Sequence, residues 1–119
     1  MTLSGILDLE LDGSLRFAFT VTNAGDEPVE LRFRDGQRAE FSLIEGGEDR
    51  WHWSEGRAFT QALGRERLAS GESVTYGGEW SDPEPGEYTA FAVLCAENGD
   101  CRVERAIAVS GENLSSDPP

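Results

Sequence analysis

An all-β domain, an immunoglobulin-like antiparallel sandwich of about eight strands, is what this sequence predicts. Three observations lead there. Apolar and polar residues alternate with period two over most of the chain, turn-forming clusters recur every ten or so residues, and no long stretch has helical periodicity. Leu7, Leu9 and Leu11 alternate with Asp8, Glu10 and Asp12. Phe17, Phe19 and Val21 alternate with Arg16, Ala18 and Thr20, and Val29, Leu31 and Phe33 with Glu30, Arg32 and Arg34. Each set describes a strand with one face in water and one against a core. Further strands are expected over Ala39–Glu45, Arg50–Ser54, Val74–Trp80, Glu87–Ala96 and Cys101–Val109. The connection Ala58–Leu68 has room for one helical turn.

Between the strands lie Asn23-Ala24-Gly25-Asp26, Asp35-Gly36, Gly46-Gly47, Ser81-Asp82-Pro83 and Pro85-Gly86, all typical turn chemistry. Asp12-Gly13 suggests a two-residue hairpin turn. That register would set leucines opposite polar residues. Keeping Leu11 opposite Leu15 and Leu9 opposite Phe17 needs an odd-length loop, and burial decides, because a one-residue slip would turn a whole apolar face to water.

The 119 residues suit one domain. Residues 1–110 are expected to form the sandwich and residues 111–119, polar and ending in Pro-Pro, a flexible C-terminal tail. Asn113-Leu114-Ser115 matches a glycosylation acceptor by chance. The first residues lack the basic and apolar segments of an export signal, and no apolar run approaches bilayer length. A cytoplasmic, soluble protein is expected.

Asp and Glu number 23 against 10 basic residues, a net charge of −13, and every basic residue is arginine. At molar salt, where the Debye length is about 3 Å, the self-repulsion of such a surface is screened. A halophilic source is inferred. The charge excludes nucleic acid and anionic membranes as partners, and like-charged edge strands favour a monomer.

Enzyme chemistry finds no foothold. His52, between Trp51 and Trp53, has no nucleophile motif near it and reads as a surface residue of a strand. Asp8, Glu10, Asp12 and Gly13 imitate the start of a calcium loop, but Phe19 stands at the twelfth position and leucines intervene at strand spacing. No metal or other cofactor is expected. Cys95 and Cys101 flank a short loop. With Glu97-Asn98-Gly99 as a three-residue turn and Gly99 left-handed, the two would stand opposite each other, so a disulfide is possible on oxidation. A reducing cytoplasm favours free thiols.

The stretch from Arg50 to Leu68 gathers two tryptophans, Phe59, Gln61 and several arginines, residue types that anchor protein interfaces. Trp51 and Trp53 sit at strand spacing and read as core. For Arg57, Phe59, Thr60 and Leu63, in a long connection, a binding role and a structural one are balanced; Gln61, a further candidate contact, would in the structural reading satisfy backbone groups at a corner.

An ordered series runs through the chain: Val21-Thr22-Asn23, Val29-Glu30-Leu31-Arg32-Phe33, Asp35-Gly36-Gln37 and Glu40-Phe41. It continues with Trp51-His52-Trp53-Ser54, Phe59-Thr60-Gln61-Ala62-Leu63, Leu68, Gly71-Glu72, Trp80 and Pro85-Gly86-Glu87-Tyr88. In this series the chain resembles the intracellular proteinase inhibitor family, the BsuPI domain, with Glu40 where that family often has aspartate. The resemblance implies an immunoglobulin-like sandwich without catalytic activity whose partner is an intracellular subtilisin-like serine protease. The expected contact is the Arg57–Leu63 connection, with Phe59 or Leu63 filling an apolar specificity pocket. The Asp82–Gly86 turn is a second candidate, and a non-inhibitory protein-interaction module is the alternative reading.

Overall fold

The computed structural model describes residues 2–110; the predicted tail and Asn113 lie outside them. Among the described residues are nine strands and no helix: β1 Leu3–Asp12, β2 Ser14–Asn23, β3 Val29–Phe33, β4 Ala39–Glu45, β5 Glu48–His52, β6 Gly64–Leu68, β7 Ser73–Trp80, β8 Gly86–Leu94 and β9 Arg102–Val109. All pairings are antiparallel. Three strands in the order β1-β2-β7 form one layer, four in the order β5-β4-β8-β9 the other, and β3 pairs with β6.

Alternation decides which side of each strand is buried. Leu15, Phe17, Phe19 and Val21 of β2 are buried, as are Ala39, Phe41 and Leu43 of β4 and Tyr88, Ala90, Ala92 and Leu94 of β8. Each such Leu, Val or Phe contributes about 1.5–3 kcal/mol relative to an exposed position. The layers meet through aromatic rings. Phe17 of β2 lies 5.2 Å from Phe41 of β4 and stacks on Trp51 of β5 at 5.4 Å, and Trp80 of β7 meets Tyr88 of β8 at 5.7 Å. The core is therefore an inter-sheet aromatic seam, as in other face-to-face sandwiches.

The first hairpin takes the register that burial demands. Leu11 stands opposite Leu15 and Leu9 opposite Phe17, with Asp12 paired to Ser14 around Gly13. Gly13 has φ 76°, a left-handed conformation that glycine adopts without a Cβ penalty. Asp8, Glu10 and Asp12 stand on the exposed face of β1.

Three expectations need correction. Ala58–Leu68 holds no helical turn; its end is an additional strand, β6. Gly64-Arg65-Glu66-Arg67-Leu68 buries only Leu68, so it carries almost no apolar alternation to read. The second correction is β5, which begins at Glu48 and ends at His52 instead of running to Ser54. The turn that begins at Trp53 ends it early, and a register shift against β4 at Leu43/Ile44 falls within it. Third, Cys95 and Cys101 do not face each other. The Leu94 amide donates to the Cys101 carbonyl at 2.9 Å, while the Cys95 amide turns to the Arg38 carbonyl at 2.9 Å. Burying Leu94 beside Cys101 shifts the hairpin by one residue. Gly99 is not left-handed, and both cysteines are free thiols.

The loop after β8 has another task. Asn98 behaves like a short strand against β3, accepting from the Arg32 amide at 2.9 Å and donating to the Glu30 carbonyl at 2.8 Å. Glu97 adds its amide to the Arg32 carbonyl at 2.8 Å. These bonds hold the β3–β6 pair to the end of the four-stranded layer.

The two flanks of the sandwich differ. On one, β1 and β9 close on each other. The Arg105 guanidinium donates to the Leu7 carbonyl at 3.0 Å. Gly5 lies so near this seam that a Cβ would sit 2.8 Å from the Cys101 sulfur and 2.9 Å from Phe19. On the other flank, the edges of β7 and β5 stand apart, bridged by tryptophans.

Candidate functional site

The connection between β5 and β6 is built on the outer end of the aromatic seam. From Tyr88 the rings run through Trp80, Trp51, Phe17, Phe41 and Trp53 to Phe59, with neighbouring centroids 5.2–5.9 Å apart. Trp51 and Trp53 are thus packed against the core, as their spacing implies, but both remain half-buried. Phe59 is joined to this chain through Trp53 at 5.6 Å.

Polar contacts fix the start of the loop. The Trp53 amide donates to the Phe41 carbonyl at 2.9 Å. Glu40 then accepts from the Ser54 amide at 3.1 Å and from the Ser54 hydroxyl. The same carboxylate accepts from the Phe41 amide at 2.9 Å, a bend back on itself that the extra methylene of glutamate allows. Arg57 lies over the Trp53 ring at 4.4 Å and donates through Nε to the Trp53 carbonyl at 2.7 Å. Further on, the Thr60 carbonyl accepts from the Gly36 amide at 2.7 Å. A Cβ at residue 36 would lie 2.6 Å from the Thr60 hydroxyl and 3.1 Å from its amide. A side chain there would force Thr60 to shift, so glycine suits this close approach.

The five residues singled out in this loop therefore divide. Phe59 and Thr60 are anchors, and Arg57 is tied to Trp53. Gln61 is exposed without a side-chain hydrogen bond among the described residues. Leu63 is 82% exposed, against 62% for Ile6, the other exposed large apolar side chain among the described residues. Residues 57–63 have no regular structure; the Arg57 amide is bonded to the Ser54 carbonyl at 3.1 Å and the Thr60 carbonyl to the Gly36 amide, and no strand pairs with the segment.

The second candidate turn is firmly held. Pro83 is buried, and the Tyr88 hydroxyl donates to the Glu84 carbonyl at 2.7 Å. This is the tyrosine corner of immunoglobulin-like sandwiches, placed where the chain crosses between layers. Burial raises the Tyr88 hydroxyl's pKa, which keeps it a donor. Arg50 pairs with Glu45 at 3.3 Å and with Glu84. Its residues serve the corner.

His52 faces Asp49 at 3.5 Å. No group of three or more potential metal ligands occurs among the described residues. Burial, with the charges of Glu40 and Asp35 behind it, pushes the Cys95 thiol up to about 11, and burial raises Cys101 as well. Both thiols stay protonated at neutral pH and are poor nucleophiles.

Sequence reasoning had no signal for the Glu40–Ser54 or Gly36–Thr60 contacts, which join segments apart in the chain. Both lie within the motif series that carries the family resemblance. No curated protein matches the chain. Among solved structures, it is similar to Bacteroides uniformis beta-glucuronidase 2 covalently bound to cyclophellitol-6-carboxylate aziridine. There the identity is 12% and the TM-score 0.48, over 89% of this chain and 13% of that one. The chain thus spans about an eighth of that protein's length. The family model described as intracellular proteinase inhibitor matches residues 7–99, which takes in the aromatic seam, the anchored loop and the tyrosine corner. The chain belongs to the intracellular proteinase inhibitor (BsuPI) family.

Proposed function

We propose that the chain inhibits an intracellular subtilisin-like serine protease, without chemistry of its own, by presenting residues 57–63 to the enzyme's cleft. The observation that carries this reading is Leu63, 82% exposed at the end of an irregular segment anchored through Phe59 on Trp53 and Thr60 on Gly36. A partner meeting such a loop has little left to order, which lowers the entropic cost of association. Leu63 fills the specificity pocket, and Phe59 holds the loop in place.

The test is titration of a purified halophilic subtilisin-like protease in molar salt. The chain is expected to abolish activity stoichiometrically, and Leu63→Glu to weaken inhibition by about 10- to 100-fold, the value of one buried leucine. Full protease activity in stoichiometric excess of the chain, or equal potency of the variant, would overturn the reading.

The same reading makes the protein a cytoplasmic monomer of a salt-rich cell, one domain through residue 110 followed by a polar tail. Its support is the −13 charge with arginine as the only basic residue type besides one histidine. Melting is expected at a clearly lower temperature in about 0.1 M than in molar KCl, because the Debye length grows from about 3 to about 10 Å. A melting temperature independent of salt would remove the halophilic assignment.

A further inference from the structure

The flank opposite the β1–β9 closure is a groove. Its floor is the exposed sides of Trp51, Trp53 and Trp80, all the tryptophans of the chain, and its volume there is about 440 Å³. Past Trp53 it continues along Thr75, Tyr76 and Gly77. One wall is the free edge of β7. Ladder alternation fixes how that edge is oriented. The Asn23 amide bonds to the Glu72 carbonyl, and the Ala24 amide turns the other way, to Thr2. With the β2–β7 register, the backbone N–H and C=O groups of Ser73, Thr75, Gly77 and Glu79 point away from β2, toward the groove.

Unpaired edges are normally blunted by lysine, proline, a bulge or short length. β7 spans eight residues with Glu79 as its only charge and neither lysine nor proline. It also carries two central glycines with different explanations. At Gly78 a Cβ would meet Phe41 at 2.7 Å and Trp53 at 3.0 Å, so the core requires glycine. At Gly77 a Cβ would meet only the Phe17 carbonyl, at 3.7 Å, an ordinary contact. Packing within the chain does not require this glycine, which weakens the strand. Such residues occur where another backbone comes close.

The groove's rim selects the approaching strand. Glu55, Glu79 and Asp82 border it, while Arg57 is committed to the Trp53 ring and carbonyl. Carboxylates around aromatic faces suit a cation, arginine above all. A second copy pairing through its own β7 would bring Glu79 and no basic residue, and so lacks the cation that this rim selects.

We propose that the free edge of β7 is a docking surface for an extended basic segment of a partner protein, added as a strand with an arginine side chain over the tryptophan-lined groove. Arg57 borders the groove but Leu63 does not line it, and the test involves no protease.

The probe is the peptide acetyl-Thr-Val-Arg-Val-Arg-Val-Thr-amide, with a counterpart carrying glutamate for arginine, in the salt at which the chain is folded. The arginine peptide is expected to slow amide hydrogen exchange at Thr75, Gly77 and Glu79 at least tenfold and to shift tryptophan emission, and the glutamate peptide to do neither. Gly77→Pro, which removes an outward N–H, is expected to abolish the protection. Should that variant not fold, Asp82→Arg is expected to weaken binding at least fivefold. Unchanged exchange at saturating arginine peptide, equal response to both peptides, or undiminished binding by the folded variants overturns the proposal. So does protection that rises with protein concentration alone, which would identify a second copy as the occupant.

Discussion

Replacing Phe17 by alanine is expected to cost about 3–5 kcal/mol of stability, the range for deleting a buried phenylalanine side chain. Phe17 is 2% exposed and lies where the two layers interlock, touching Phe41 on one side and stacking on Trp51 on the other. Its loss removes packing from both rings at once, and neighbouring strands can close only part of the cavity. Because Trp51 carries the stack onward to Trp80 at 5.7 Å, tryptophan emission should shift to longer wavelength even before unfolding. Chemical denaturation in molar salt measures both effects. Leu9, half-buried opposite Phe17, supplies the comparison, and its alanine variant should lose clearly less. A Phe17→Ala penalty below about 1 kcal/mol would mean that the aromatic seam is not the core.

Asn23→Ala is expected to cost about 2–4 kcal/mol, although it deletes only a small polar group. Asn23 is fully buried. Its amide donates to the Glu27 carbonyl at 2.7 Å and the Leu68 carbonyl at 3.1 Å, and its oxygen accepts from the Gly25 amide at 3.0 Å. Alanine would leave three backbone groups without this partner, and each unsatisfied buried group costs about 1–3 kcal/mol, less where water enters. The residue also ties three elements together: the end of β2, the turn before β3 and the end of β6. Thr20→Ala, which breaks an exposed hydroxyl pair with Thr75, should change stability by less than about 1 kcal/mol. Similar melting curves for the two variants would show that Asn23 is not a tertiary clamp.

The sequence announced most of the architecture because burial in a sandwich is written in period two. β2, β4 and β8 alternate cleanly, and the register of the first hairpin follows from leucines that must share a face. β6 stayed hidden because a strand with one buried residue leaves no pattern. The cysteine hairpin was misread for a different reason. Turn chemistry around Asn98-Gly99 implied one register, but burial of Leu94 and the use of Asn98 against β3 are tertiary demands, invisible locally. At the candidate loop, composition located the segment but could not rank its residues. Phe59 and Leu63 are similar as letters. What separates them is that a tryptophan lies within reach of one and not of the other. The clustering of the family motif became intelligible only in three dimensions, where Gly36 meets Thr60, Glu40 meets Ser54 and Trp51 meets Trp80.

The Arg105–Leu7 closure bears on how assembly can proceed. A strand-swapped fibre needs two sticky sides per subunit, so that every addition exposes a site for the next. Here β1 and β9 shield each other, Asn98 occupies the outer side of β3, and the short β5 and β6 are dense with charge. Only β7 is left to accept a newcomer. Growth by edge pairing therefore stops after one addition, so that in concentrated salt, where electrostatic repulsion is muted, geometry protects the protein from polymerising.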